Sequence, residues 1–159
     1  MILRDARPDD APILASLDLG HERAVWLDEV REILDGLIGW RDDVASETFD
    51  RQVQVAEDGS GIIAACAHER LEHGTAGPVA EHRYLMVVAV RDDHRRSGIG
   101  RVLMESVLAA IQADGVRSVR WLVHAGNVAS IAFSRAAFPD ADETYPPEDR
   151  PYMSFVLEL

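Results

Sequence analysis

Residues 84–101 read YLMVVAVRDDHRRSGIGR, and the architecture of the whole chain follows from this stretch. Its apolar start, Tyr84 to Val90, is typical of a buried strand, whereas Gly98 to Ala113 has apolar residues at helical spacing. The first N–H groups of a helix have no partner within the helix, and the helix dipole adds partial positive charge at the same end. Gly98 and Gly100 bring no side chain that would block a close ligand. The junction between strand and helix is therefore predicted to bind an anion such as a phosphate.

Arginines crowd around this junction. Arg91, Arg95, Arg96 and Arg101 form a local basic island, although a solvated charged loop is the simpler interpretation of such a run taken alone. Two other phosphate-binding motifs do not fit. A P-loop requires a lysine, and all 16 basic residues of the chain are arginine. A dinucleotide-binding fingerprint requires a third glycine where this chain has Leu103, and a tighter turn after the strand.

The rest of the chain alternates between short strands and helices. Hydrophobic periodicity predicts helices over the segments that begin near Pro8, Trp26, Gly98 and Asn127. Strands are predicted at 2–4, 52–56, 62–69, 84–90, 119–123, 141–145 and 153–159, with loops at 41–50 and 73–81. The order β-α-α-β-β-β-α-β-α-β-β predicts an α+β, or mixed α/β, sheet with helices on both faces. With no repeat or linker, residues 1–159 are predicted to form one domain.

Composition limits the functions that fit. The net charge of −12 argues against nucleic acid or an anionic membrane surface as a partner, and no apolar run is long enough to span a bilayer. The segment that begins at Met1 has no apolar signal-peptide region, and Cys66 cannot form an internal disulfide, so a cytoplasmic location is expected. The histidines have no metal-ligand spacing, so no metal site is predicted.

The motif Arg95-x-x-Gly98-x-Gly100, after an apolar strand and at the start of a helix, resembles the acetyl-CoA-binding signature of the GNAT superfamily of N-acetyltransferases. The first strand and helix entry at 2–11 and the strand end Val88-Ala89-Val90 are also similar to that family. Asn127, with two phenylalanines downstream, resembles the start of its fourth helix. The resemblance covers nearly the whole chain and is weakest between residues 20 and 50.

This resemblance implies a mostly antiparallel sheet that splays between its fourth and fifth strands, with acetyl-CoA as the acyl donor. Backbone groups of Val88 and Val90 would bind the pantetheine arm, and an amide near Val88 would polarise the acyl carbonyl. Asn127 would bind near the pantetheine, unless it is simply a helix cap. The pyrophosphate would lie against the loop and helix start formed by Arg95, Arg96, Ser97, Gly98, Ile99, Gly100 and Arg101.

The chain departs from the family at the positions that often carry catalysis. Ser134 occupies the place of a frequent proton-donating tyrosine, and the two common carboxylate positions hold Tyr84 and Leu122. Tyr84 and His124 are the catalytic candidates, although a half-buried aromatic and a strand-end histidine bonded to a loop are simpler interpretations. Further candidates for the missing base or acid are Glu69, His68 and Tyr152.

The sequence thus predicts an acetyl-CoA-dependent N-acetyltransferase that works by direct attack of an amine in a ternary complex. A small-molecule or peptide amine is the expected acceptor, and the negative charge favours a cationic one. By resemblance, specificity would come from Arg23 to Trp40 and from Tyr145 to Tyr152. A non-catalytic acyl-CoA-binding domain and a nucleotide-binding module are the alternatives. The sequence does not specify the oligomeric state, and a homodimer is compatible with it.

Overall fold

The protein is a seven-stranded mixed sheet with helices on both faces, and the computed structural model describes residues 1–20, 25–39, 51–70, 82–145 and 151–159. The strands are β1 (Ile2–Asp5), β2 (Gln52–Asp58), β3 (Gly61–Arg70), β4 (His82–Val90), β5 (Ser118–His124), β6 (Asp142–Thr144) and β7 (Tyr152–Glu158). The helices are α1 (Ala11–Ala15), α2 (Val25–Gly39), α3 (Ile99–Ala113) and α4 (Val128–Ala137). This order confirms the predicted fold class.

The strands are arranged in the order β1-β2-β3-β4-β5-β7-β6. All neighbouring pairs are antiparallel except β4 and β5, which are joined by the crossover helix α3 and run parallel. A parallel pair needs such a crossover, because a short turn can only reverse the chain direction. The parallel pair is therefore a direct consequence of the strand-turn-helix segment around Gly98.

Two hydrophobic clusters lie on opposite faces of the sheet. On one face, residues of α3 and α4 pack against β5 and β7 around Trp121, whose ring stacks on Phe155 with centroids 5.4 Å apart. On the other face, Leu14, Leu27 and Leu34 bring α1 and α2 against β2, β3 and β4. We refer to these two faces as the α3–α4 side and the α2 side of the sheet.

The first helix is shorter than the sequence predicts, because the helical spacing of Ile13, Leu14 and Leu17 indicates a helix that ends at Gly20. A 3-10 turn at Pro8–Asp10 leads into α1, which ends at Ala15, and the chain then runs without helix to Gly20. Ser16 explains the early end, because its hydroxyl donates to the carbonyl of Pro12 at 2.8 Å and so competes with the helical backbone. A second 3-10 turn, at Asp92–His94, forms part of the predicted charged turn.

Several sequence predictions lie outside the described residues. These are the loops at 41–50 and 73–81, the position of Trp40, the proline-rich turn at 146–150 and the side chain of Trp26. Within the described part of the chain, no helix combines the length and apolar character that crossing a membrane requires.

Candidate active site

The start of α3 presents free backbone amides. Gly98 precedes the helix with φ of +85°, and no side chain caps the helix there. The first helical bond runs from the amide of Val102 to the carbonyl of Gly98 at 3.1 Å, so the amides of Ile99, Gly100 and Arg101 have no acceptor within the helix. The structure therefore places unpaired amides at the residues where the sequence predicts that an anion binds.

The loop before Gly98 is held by unusual backbone angles and by one side-chain hydrogen bond. Arg96 has φ of +60°, which is uncommon for a residue with a side chain, and Gly98 follows in the same left-handed region. The hydroxyl of Ser97 donates to the carbonyl of His94 and closes the turn. Ser97 therefore has a structural bond, and its hydroxyl is not the strongest candidate for a phosphate contact.

The four arginines of the basic island have different partners. Arg91 bonds Asp93 at 2.7 Å and Ser60 at 2.8 Å, and Arg101 bonds Glu105 at 2.7 Å. Arg95 donates to the carbonyl of Leu19 at 2.6 Å and lies 3.3 Å from Asp92. Among the residues that the structure describes, only Arg96 of this group has no side-chain partner.

Gly98 and Gly100 are needed for different reasons. A Cβ at Gly98 would have nothing within 4 Å, so the positive φ alone explains the glycine. A Cβ at Gly100 would lie 3.3 Å from Cγ2 of Val90 and 4.0 Å from the ring of Phe133. The second glycine thus allows α3 to pack closely on β4, a role that the expectation of close ligand approach did not include.

The parallel pair separates halfway along its length. The pairing of β4 with β5 ends at Leu85 and Trp121, while β4 stays paired with β3 as far as Val90. The splay predicted between the fourth and fifth strands is present, and it leaves the β5 side of β4 unpaired from Met86 onward. Backbone groups on that side are available to an extended ligand, as in strand addition.

A β-bulge marks the point of separation. Ala67 of β3 pairs with Val87 and His68 with Leu85, so Met86 is the extra residue in β4. Met86 and Val87 therefore both pack on the α2 side, whereas Val88 and Val90 pack on the α3–α4 side. Bulges are frequent beside active sites, where they redirect backbone and side chains.

Tyr84 lies just before the bulge, across the strand pair from Glu69. Burial raises the pKa of the Tyr84 phenol, and the negative charge of Glu69 raises it further. Glu69 also bonds Arg51 at 2.8 Å, so this candidate base is held in an ion pair. Tyr84 is consequently a protonated hydrogen-bond donor at neutral pH.

His124 and Asn127 both bond the backbone near the end of β5. The Nδ1 atom of His124 accepts from the amide of Gly126 at 3.0 Å, so the neutral ring carries its proton on Nε2. Asn127 caps α4, because its Oδ1 accepts from the amide of Ser130 at 3.0 Å. His124 is thus a strand-end histidine bonded to a loop, and Asn127 is a helix cap. The carboxamide nitrogen of Asn127 is not used by the cap.

Two further side chains, those of Ser134 and Cys66, are buried in the core, whereas Leu122 is partly exposed. Ser134 is buried and accepts a hydrogen bond from Nε1 of Trp121 at 3.0 Å. Leu122 keeps 44% of its side chain exposed on the α2 side of β5. Cys66 is fully buried, and burial raises the pKa of its thiol to about 12, which leaves no thiolate at neutral pH.

The structure adds one pair that the sequence patterns did not single out together. The hydroxyl of Tyr152 donates to Oε1 of Glu29 at 2.6 Å, which joins β7 to α2. The ring of Tyr152 also lies edge-on to His124, with centroids 5.5 Å apart. Glu29 had no recognisable signal, because an acid on the polar side of an amphipathic helix is an ordinary surface residue.

An anion-binding helix start beside a splayed parallel strand pair is the architecture of acyl-CoA-dependent acyltransferases. The model of the acetyltransferase (GNAT) family matches residues 14–138. The chain belongs to this family, and it is an acyltransferase enzyme. An L-methionine sulfoximine/L-methionine sulfone acetyltransferase from Pseudomonas aeruginosa is 32% identical over 139 residues, which cover 84% of this chain and 76% of the relative.

Solved structures share the fold at low sequence identity. A paia N-acetyltransferase from Thermoplasma acidophilum, solved in complex with coenzyme A, superimposes with a TM-score of 0.74 at 14% identity. That comparison covers 99% of this chain and 98% of the other. A ribosomal-protein-alanine N-acetyltransferase from Brucella melitensis has a TM-score of 0.71 at 21% identity, covering 100% and 99% of the two chains. Both confirm the fold.

Proposed function

We propose that this protein transfers an acetyl group from acetyl-CoA to a primary amine by direct attack within a ternary complex. The observation that carries this proposal is the row of unpaired amides at Ile99, Gly100 and Arg101, set beside the unpaired edge of β4. One feature suits a pyrophosphate and the other suits an extended amide chain. Coenzyme A contains both groups in that order.

The binding residues follow from these contacts. Arg96 is the arginine that reaches the phosphates, because the others of its group have protein partners. Backbone groups of Val88 and Val90 bind the pantetheine arm, and an amide close to the bulge at Met86 polarises the thioester carbonyl. Asn127 contributes its carboxamide nitrogen while its oxygen caps α4.

Direct attack is favoured over a covalent enzyme intermediate. The thiol of Cys66 is buried and protonated, and Ser134 is engaged with Trp121 inside the core. Neither meets the requirement for an activated nucleophile, which is an adjacent base or a lowered pKa. Tyr84 is the group that we assign to protonate the leaving thiolate, since its raised pKa keeps its proton available. For His124 we propose a supporting role, in which its edge-on contact helps to hold the ring of Tyr152.

The acceptor is proposed to be a small primary amine that is cationic before it reacts. The net charge of −12 supports steering of a cation, and the relative from Pseudomonas aeruginosa is named for L-methionine sulfoximine and L-methionine sulfone. L-methionine sulfone is therefore the first acceptor to test. High salt is expected to raise its KM, because screening weakens long-range attraction.

A thiol-release assay with acetyl-CoA tests this function. L-methionine sulfone, spermidine, n-butylamine and a basic peptide serve as acceptors, while calorimetry measures acetyl-CoA binding separately. Thiol release that depends on an amine, together with mass-spectrometric detection of the acetylated product, is the expected result. A protein that binds acetyl-CoA but releases no thiol with any amine would support the non-catalytic alternative instead.

A further inference from the structure

The hydrogen bond between Tyr152 and Glu29 joins two segments that are 123 residues apart in the sequence. Tyr152 is the first residue of β7, and Glu29 lies in the second turn of α2. Both side chains are half-buried, so they are accessible from the surface without being fully solvated. Among the residues that the structure describes, Glu29 has no arginine or histidine partner.

This pair lies on the face of the sheet where β4 and β5 separate. Tyr152 pairs with His124, the last residue of β5, and residues paired in this way project to the same face. Trp121 and Val123 belong to the core on the α3–α4 side, so Leu122 and His124 project to the α2 side, by alternation along the strand. The partly exposed Leu122 thus lies beside the pair, in the gap that opens after Leu85.

Tyr84 completes the group from the other side of this gap. The pKa of the Tyr152 phenol is raised, chiefly by its hydrogen bond to Glu29 and further by burial, by the charge of Glu29 and by Tyr84. Both tyrosines are therefore protonated donors at neutral pH. The carboxylate of Glu29 is the acceptor among these three side chains.

A carboxylate with one tyrosine donor has lone pairs left for other donors. An ionised carboxylate offers about four acceptor positions, and Tyr152 uses one of them. A primary ammonium group brings three donors and the opposite charge, so it is the ligand class that fits best. The aromatic rings of Tyr84 and Tyr152 further suit a cation with an apolar stem.

We propose that Glu29, held by Tyr152, is the subsite that binds the ammonium group of the acceptor and removes its proton. This inference rests on the proposed acetyl transfer. The carboxylate takes one proton from the ammonium ion, and the freed nitrogen lone pair forms the C–N bond at the thioester carbonyl. The C–S bond then breaks, and its electron pair leaves with sulfur. Of the two protons lost by nitrogen, one ends on the thiol of coenzyme A and the other in solvent.

The test compares Glu29→Gln with Glu32→Gln in the full chain. Glutamine keeps the size of the side chain and an oxygen that accepts from Tyr152, but it removes the charge and the base. Glu32 is an exposed acid on the same helix and controls for a general loss of negative charge. Thiol release with L-methionine sulfone gives kcat and KM, calorimetry gives the acetyl-CoA affinity, and circular dichroism checks folding.

Glu29→Gln is expected to lower kcat/KM by about 10²-fold, within the range for loss of a general base. Its acetyl-CoA affinity is expected to stay within about twofold of the wild-type value, and Glu32→Gln is expected to behave like the wild type. An ultraviolet titration, with Tyr152→Phe subtracted, is expected to show that Glu29→Gln lowers the pKa of Tyr152 toward its ordinary value of about 10.

Three results overturn the inference, and they differ in what else they overturn. If the wild type turns over L-methionine sulfone and Glu29→Gln does so with an unchanged kcat/KM, the subsite is wrong but acetyl transfer stands. If the wild type releases no thiol with L-methionine sulfone, spermidine or n-butylamine, the activity and the subsite are both wrong. Loss of acetyl-CoA binding in Glu29→Gln would mean a structural role and would also overturn the subsite.

Discussion

Nε1 of Trp121 donates a hydrogen bond of 3.0 Å to the hydroxyl of Ser134 inside the core between β5 and α4. Ser134 occupies the position where many family members have a catalytic tyrosine, and here it satisfies the buried indole instead. The phenylalanine ring of Phe138 packs edge-on against the same indole at 5.7 Å. Ser134 therefore serves the packing of the core at this position.

Ser134→Ala is expected to destabilise the protein by about 1–3 kcal/mol, because it leaves the buried indole N–H without an acceptor. Chemical denaturation measures this change in the free energy of unfolding. Acetyl-CoA binding and kcat are expected to stay at wild-type values, since Ser134 faces the core. Ser130→Ala on the same helix is the control and should be nearly neutral. A loss of kcat in Ser134→Ala without a loss of stability would contradict this assignment.

Arg96→Ala is expected to weaken acetyl-CoA binding about 10-fold, since a hydrogen bond to a charged group contributes about 1.5–3 kcal/mol. Arg101→Ala is the matched control, because Arg101 is equally close to the helix start but already bonds Glu105. Its effect is expected to be smaller. Calorimetric titration with acetyl-CoA measures this change. Titration with pantetheine, which contains no phosphate, separates a phosphate contact from a general charge effect. Equal losses in both variants would mean that the island acts only as a diffuse positive patch.

Local signals predicted most of the fold and the local features of the candidate site. The positive φ at Gly98, the free amides after it and the cap at Asn127 depend on neighbours within a few residues. The sequence therefore indicated the unpaired amides at the helix start and offered a cap as one interpretation of Asn127, whereas the positive φ at Gly98 is a finding of the structure. The splay between β4 and β5 came with the family resemblance, because no local pattern indicates where two paired strands separate.

Other features of the candidate site depend on distant contacts. Glu29 and Tyr152 were inside the two segments expected to control specificity, but only the folded chain brings them to 2.6 Å. The packing role of Gly100 requires Val90 on the neighbouring strand, and the bond of Arg95 to Leu19 joins parts of the chain 76 residues apart. Such contacts leave no periodicity in the sequence.

Acid is expected to weaken the fold through Asp10. Hydrogen bonds from Arg4, at 2.7 and 3.0 Å, lower the pKa of Asp10, and the amide of Arg7 contributes further. A carboxyl group with a lowered folded-state pKa stabilises the protein above its unfolded value of about 4, and this contribution disappears as the pH falls through the folded-state value. Denaturation between about pH 7 and pH 2 measures the loss.

Asp10→Asn is expected to lower stability at neutral pH and to flatten the acid dependence. Asp9→Asn is the control, since the exposed Asp9 makes no bond to Arg4. If the two variants show the same acid dependence as the wild type, the contact between Arg4 and Asp10 does not contribute to stability in solution.

Gly20 contacts both the loop before Gly98 and helix α2. It has φ of +83°, and a Cβ added there would lie 2.8 Å from Oδ1 of Asp92. Asp92 in turn donates its amide to Asp18 at 2.9 Å, and Arg31 of α2 donates to the carbonyl of Gly20 at 3.0 Å. Gly20→Ala is therefore expected to displace the loop before Gly98, with a conformational cost of roughly 1–2 kcal/mol in addition to the clash.

Gly115→Ala supplies the matched control for this prediction. Gly115 has φ of +80°, but a Cβ there has nothing within 4 Å, so that variant carries the conformational cost alone. Gly20→Ala is expected to be the less stable of the two by denaturation, and only it should weaken acetyl-CoA binding in calorimetry. Combining Gly20→Ala with Asp92→Ala should restore part of the difference, because the clashing carboxylate is then absent. Equal stability and equal acetyl-CoA affinity of Gly20→Ala and Gly115→Ala would show that Asp92 moves aside at no cost, and the link between the loop and α2 would then be too loose to transmit a change from one to the other.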